Sequence, residues 1–225
     1  MPILRQLPRW AWFGGGLLAL IAGSINAVGY LCFRHQPVSH LTGTSTQLGM
    51  SLARGDVGEV LHWGLTILSF LVGAASSGFI VQQRTLELGR RYGVVLVLES
   101  LLLFAATSLI HRHNVVGIYL AVGACGLQNA MVSTYSGATF RTTHVSGIFT
   151  DLGIYIGQRL RGVDVDMLRI HVCLLVAGNF IAGSALGAFG YALMRERVLL
   201  IPATITGVVG VVYALYRHLF LGRTA

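Results

Sequence analysis

Apolar residues dominate six stretches of the chain, roughly 10–33, 60–82, 92–110, 115–136, 168–193 and 198–216. Each approaches or exceeds the ~20 residues that a helix needs to cross a ~30 Å hydrocarbon core. Six such runs in a soluble bundle would leave almost no solvated face. Polar positions gather instead in two longer connections, roughly 34–59 and 137–167. Within both, apolar residues return at helical spacing: Leu41, Leu48 and Leu52 in the first, Val145, Leu152 and Ile156 in the second. The spacing predicts a helix of about 10–14 residues in each, too short to span and suited to a re-entrant or interfacial segment. The connections at 111–114 and 194–197 are short enough to be tight turns. The pattern as a whole predicts an all-α membrane protein with six transmembrane helices in a single integral membrane domain, 1–225.

The two polar connections say the same thing twice. His40-Leu41-Thr42-Gly43-Thr44-Ser45-Thr46-Gln47-Leu48-Gly49 recurs as His144-Val145-Ser146-Gly147-Ile148-Phe149-Thr150-Asp151-Leu152-Gly153. Each copy follows a Gly-x-x-Asn-Ala stretch, Gly23 to Ala27 and Gly126 to Ala130, and Phe70 to Ala75 is answered by Phe180 to Ala185. Three matches in the same order indicate one duplicated unit, repeat 1 at about 10–110 and repeat 2 at about 115–216. A unit of three spans is odd, so the second copy enters the bilayer from the opposite side, giving two inverted three-helix repeats.

Composition agrees with a lipid solvent: hydrophobic residues are 54% and charged residues 11% of the chain, against about 25% charged in soluble domains. All sixteen basic residues are Arg. With six spans, eleven of them fall on one face (Arg5, Arg9, Arg84, Arg90, Arg91, Arg141 among them) and five on the other (Arg34, Arg54, Arg112, Arg195, Arg197). The richer face is expected to be cytoplasmic, with both termini inside. The net charge of +8 needs no nucleic-acid partner, because flanking Arg meets anionic headgroups. Arg5 and Arg9 before an apolar run resemble a secretory signal, but the run exceeds a typical h-region and lacks a clear cleavage site, so it reads as the first span. Cys32, Cys125 and Cys173 all lie in apolar spans, without metal or disulfide spacing.

The motif connections carry the candidate chemistry. Thr44 to Gln47 fits a capping box, with Thr44 as N-cap and Gln47 reaching back; Ser146 is a weaker cap in the second copy. A non-spanning helix opened by Thr42-Gly43 or Ser146-Gly147 presents free N–H groups and a positive dipole end, with glycine permitting close approach. Asn26 and Asn129 occupy matching places, either bonding neighbouring helices or lining a site. Glu99 stands in an apolar run and must face the interior, be protonated or find a partner, which makes it the proton-coupling candidate. His40, His144 and Asp151 lack short ligand spacing, so no metal is expected. Gly73/Ser77, Ala74/Gly78, Gly153/Gly157 and Gly183/Gly187 follow the small-xxx-small spacing of close helix packing.

The Gly-x-x-Asn-Ala and Thr-Gly-x-x-x-x-Leu-Gly pattern, with Thr143 to Gly153, resembles the YoaK-type family of bacterial inner-membrane proteins. The resemblance covers most of the chain and implies a location and an architecture, without an activity. The usual family pattern has an acidic residue where Asn26 stands and Thr-Gly-Asn where Thr42-Gly43-Thr44 stands.

These readings converge on a transporter or channel-like permease for a small polar or anionic solute. Its site is expected between the two motifs: Asn26, His40, Thr42, Gly43 and Thr46 with Asn129, His144, Ser146, Gly147, Thr150 and Asp151. The alternative is a non-transporting membrane module that binds a lipid or a partner protein. No cofactor is expected, and the absence of hydrolase, zinc-protease, Walker and Rossmann signatures argues against an enzyme. The partners are the bilayer and a small solute; the oligomeric state stays open, a homo-oligomer included.

Overall fold

A computed structural model describes residues 9–32, 38–81, 91–135 and 141–220. These are all-helical. In chain order the helices are α1 (Arg9–Cys32), α2 (Leu41–Arg54), α3 (Val57–Ile80), α4 (Tyr92–His111), α5 (Val116–Tyr135), α6 (Val145–Leu160), α7 (Met167–Met194) and α8 (Leu200–Phe220), with a 3-10 segment (Arg195–Leu199) joining the last two. Five segments are long and apolar enough to cross a membrane. The fifth, Met167–Tyr216, is 50 residues long, and the 3-10 segment divides it. Large apolar side chains stay exposed along the outer faces of these helices, such as Leu68 and Phe79 on α3, Leu101 on α4, Ile181 and Phe189 on α7 and Val212 on α8. An apolar exterior of this extent suits contact with a lipid bilayer.

Glycine decides how the helices cross. α1 packs on α7, and α3 packs on α5. A Cβ on Gly23 would strike the Phe180 carbonyl, and one on Gly183 the Leu20 carbonyl. In the other pair, a Cβ on Gly126 would strike the Phe70 carbonyl, and one on Gly73 the Gly123 carbonyl. Gly23 matches Gly126, Phe180 matches Phe70, and Gly183 matches Gly73 in the sequence repeat, so matched residues make matched contacts. Each helix pair joins one copy of the repeat to the other. Absent side chains let the backbones approach closely, the usual basis of helix association in lipid.

The crossings also fix direction. Along α1 and α7 the contacts advance together, from Gly16 beside Leu175 and Asn179 to Gly187 beside Ser24, so these helices run parallel. α4 and α8 run antiparallel: Gly93 meets Gly210, and the Ser100 hydroxyl donates to the Ala203 carbonyl at 2.6 Å. α1 is integral to the bundle, with Ile21, Ile25 and Val28 fully buried, as expected of a first span. At the far end of α4, His111 Nδ1 pairs with Glu196 Oε1 of the 3-10 segment at 2.7 Å. This hydrogen bond holds the Glu196 carboxyl below the usual carboxylate range.

Several local expectations need correction. The capping box does not form: α2 begins at Leu41 with His40 as N-cap and no side-chain cap bond, and the Thr44 hydroxyl donates back to the His40 carbonyl at 3.1 Å. Ser146 likewise lies inside α6, whose N-cap is His144. α6 has 16 residues, longer than the spacing predicted. Gly78, Gly153 and Gly157 face open space, so their small-xxx-small spacing does not mark packing. The apolar faces of α2 and α6 are only half covered, and Leu52 and Ile156 are exposed.

Candidate functional site

Each motif opens its helix by the same device. The ring of His40 lies where a Cβ on Gly43 would sit, and the ring of His144 where a Cβ on Gly147 would sit. The recurring His-x-[TS]-Gly is therefore a fold of the N-cap imidazole over the glycine three residues on, and it accounts for why both residue types are repeated. The hydroxyls are matched as well. Thr46 donates to the Thr42 carbonyl and Thr150 to the Ser146 carbonyl, both at 3.0 Å. Those donors are turned back onto their own helices, one turn earlier.

The two motifs do not meet. α2 packs on α3, and α6 packs on α7; among the described residues α2 and α6 make no contact with each other. The two motifs therefore build no common site by direct contact of their helices. At the second motif the side chains surround a polar cavity of about 520 Å³ lined by Arg141, His144, Ser146, Gly147, Ile148, Thr150 and Asp151. Five of the predicted residues thus share one space, joined by Arg141, whose place in the sequence marks only topology. Arg141, His144 and Asp151 are exposed, so the cavity is wet and offers both signs of charge. Among the described residues no three His, Cys, Asp or Glu side chains come together.

The paired asparagines have unlike surroundings. Asn26 Oδ1 accepts from the Ser39 backbone N–H at 2.9 Å and from its hydroxyl at 3.0 Å. It fixes the residue just before the N-cap of α2, and it borders a small space of about 320 Å³ with Tyr30 and Ser184. Asn129 Oδ1 is buried without a hydrogen-bond partner among the described residues. The corresponding tether in the second copy comes from Gln128, which sequence reasoning passed over. Gln128 Oε1 accepts from the Thr142 hydroxyl at a long 3.4 Å, and its Nε2 donates to Glu99 Oε1 at 2.9 Å. Glu99 is fully buried, as its intramembrane setting required.

Asn26→Leu is expected to destabilise the folded protein by about 1–3 kcal/mol, the cost of leaving a buried donor unmet. Asn26→Asp keeps an acceptor oxygen and should lose less. Thermal unfolding in detergent checks both; equal losses would remove the tether role.

The family described as "Protein of unknown function (DUF1275)" matches residues 15–212. The chain belongs to this family. The match takes in every spanning-length segment, at least in part, and both motifs. No curated protein and no solved structure matches the chain.

Proposed function

We propose that this DUF1275 protein is a six-span protein of the bacterial inner membrane, both termini cytoplasmic, that moves a small polar or anionic solute. Two three-span units of opposite sense form it, with α7 and α8 as separate spans on either side of the 3-10 segment. Direction supports this count. Parallel α1 and α7 follow if α3, α4 and α5 each cross between them, and antiparallel α4 and α8 follow from the same alternation. Interlocked inverted repeats are a common transporter plan, with short or broken helices beside the solute path.

The observation that carries the reading is the polar cavity at the second motif. Its volume of about 520 Å³ lies within the range of small-molecule sites, and its Arg141 suits an anionic group while His144 and Asp151 supply further hydrogen bonding. α2 and α6 fit interfacial helices better than re-entrant ones. A helix dipping to the midplane would contact α1 or α5, whereas α2 touches α3 and keeps Met50 and Leu52 exposed. Such half-apolar segments suit the headgroup boundary.

The test is uptake of a metabolite panel into liposomes holding the purified protein. Arg141→Ala and Asp151→Asn are each expected to lower uptake at least tenfold, the value of one ~1.4 kcal/mol contact, while leaving the thermal midpoint in place. Uptake of no candidate, or full uptake by both variants, overturns the solute reading.

One observation favours the lipid-binding alternative. α4 packs along α5, but the matching helices α8 and α1 hardly touch. Between them lies an apolar space of about 280 Å³ bordered by Phe13, Leu17, Leu96, Met131, Val209 and Tyr213. An acyl chain retained there through purification, seen by mass spectrometry together with no solute uptake, would favour that class.

A further inference from the structure

The buried polar chain is one-sided. Glu99 and Thr142 are fully buried, and Gln128 nearly so. Among the described residues Glu99 Oε2 has no hydrogen-bond partner, while Oε1 accepts from Gln128, whose own oxygen accepts from Thr142. Thr142 sits between Arg141, which borders the polar cavity, and His144, the N-cap of α6.

The repeat gives each of these residues a counterpart. On α5, Gln128 matches Ile25 of α1 by the register of the two asparagines, and Thr142 matches Val38 by the register of the two histidines. For α4 and α8 the contacts set the register. Ser100 meets Ala203 where Gly93 meets Gly210, and Gly207 meets Ser100 where Gly210 meets Val97. Those exchanges place Glu99 opposite Val209. Val209, Ile25 and Val38 are all apolar. Acid, amide and hydroxyl, the first from repeat 1 and the others from repeat 2, therefore stand where the matching positions of the opposite repeats hold three aliphatic side chains.

We propose that Glu99 is a proton-binding site whose charge state sets the position of the 141–144 segment, so that one proton acts on the second-motif cavity alone. The proposal rests on the solute reading for its biological use, though not for its physics. With the proton on Oε2, Glu99 needs no further donor and the chain to Thr142 is complete. When that proton leaves to water of the polar cavity, Oε2 becomes an anionic acceptor in an apolar setting, where an unmet charge is costly. The Thr142 hydroxyl is the next donor along the chain. Its transfer from Gln128 to Glu99 draws on the segment that carries Arg141 and His144. Gln128 is the positioning residue, since it holds both neighbours.

The groups that face Glu99 leave this role open to it. From α5 the Cys125 thiol lies near it. On α8, Leu200 to Val212 includes no titratable side chain. Glu196 of the 3-10 segment meets α4 at His111, the opposite end from Tyr92. α3 bears its titratable residues, Glu59 and His62, in its first two turns. The cavity itself holds His144 and Asp151, whose own titration must be separated from that of Glu99.

A spin label at Ser146→Cys reads the second motif directly, with Cys32→Ala and Cys173→Ala and the buried Cys125 retained. In liposomes its mobility is expected to change with pH in one transition. Glu99→Gln, a neutral mimic of the protonated acid, should abolish that transition and hold the label at its low-pH mobility. Thr142→Val should abolish it too, which keeps the test decisive if Glu99→Gln fails to fold. His144→Asn and Asp151→Asn should preserve it. A transition that survives Glu99→Gln or Thr142→Val, or a parent protein without one, overturns the proposal. Because no solute is needed, the result is independent of uptake: a clear transition with no transported substrate sinks only the solute reading, and a flat response with active uptake sinks only this one.

Discussion

Gly183→Leu is expected to abolish the folded protein, and Gly73→Leu to do the same from the other side of the repeat. A side chain at either place has nowhere to go, because backbone rather than a yielding side-chain tip fills the space: the Leu20 carbonyl for Gly183, and the Gly123 carbonyl for Gly73. Overpacking typically costs about 1–3 kcal/mol where side chains can shift. Here two helices must separate, so the loss should meet or exceed the upper figure. Gly153→Leu and Gly178→Leu provide the contrast, since nothing lies within 4 Å of a Cβ at those positions. Size-exclusion profiles and thermal midpoints in detergent measure all four. The matched crossings lose their structural standing if Gly183→Leu and Gly73→Leu behave like the two open positions.

Much of this was legible before any coordinates, for physical reasons that also explain the failures. Apolar run length found the helices of spanning length, because lipid demands that every backbone group be satisfied within the segment. The repeat found the right glycines at the crossings, since a backbone contact tolerates only one residue type. It misled at the polar tethers. Aligning the copies paired Asn26 with Asn129, yet the second copy holds its loop with Gln128 and Thr142, each one place earlier in register than Asn26 and Ser39. A one-residue shift on a helix turns the side chain by about 100°, and the alignment retained residue type where the structure retained the loop contact. A glutamine in an apolar span needs a polar partner as much as an asparagine does. The capping box failed for a related reason: the motif reads as a cap followed by a first turn, but the histidine takes the cap position and packs its ring on the glycine, starting the helix four residues earlier than a Thr44 cap allows. Motif spacing also could not say whether α2 and α6 meet, because that depends on how α3 and α7 carry them.

Opposite sidedness of the two motifs is the other large expected result. Ser45→Cys and Phe149→Cys, each in a chain lacking Cys32, Cys125 and Cys173, should react with a membrane-impermeant thiol reagent from opposite faces of the membrane. Position 45 should label in intact cells and position 149 only after the inner face is opened. The two places are comparable apart from sidedness, since both residues are exposed on the first turns of their helices, so unequal burial would not produce the contrast. The all-or-none character follows from parity. α2 follows one crossing and α6 follows four if α1, α3, α4 and α5 all span, and one crossing and four end on different sides. Parallel packing of α1 with α7 imposes the same parity from the packing side, independently of the arginine count that sets which face is cytoplasmic. Labelling of both positions from one face would therefore break the span assignment itself, and with it the inverted relation of the two copies. Reversal of both patterns together would leave the architecture standing and overturn only the orientation drawn from arginine.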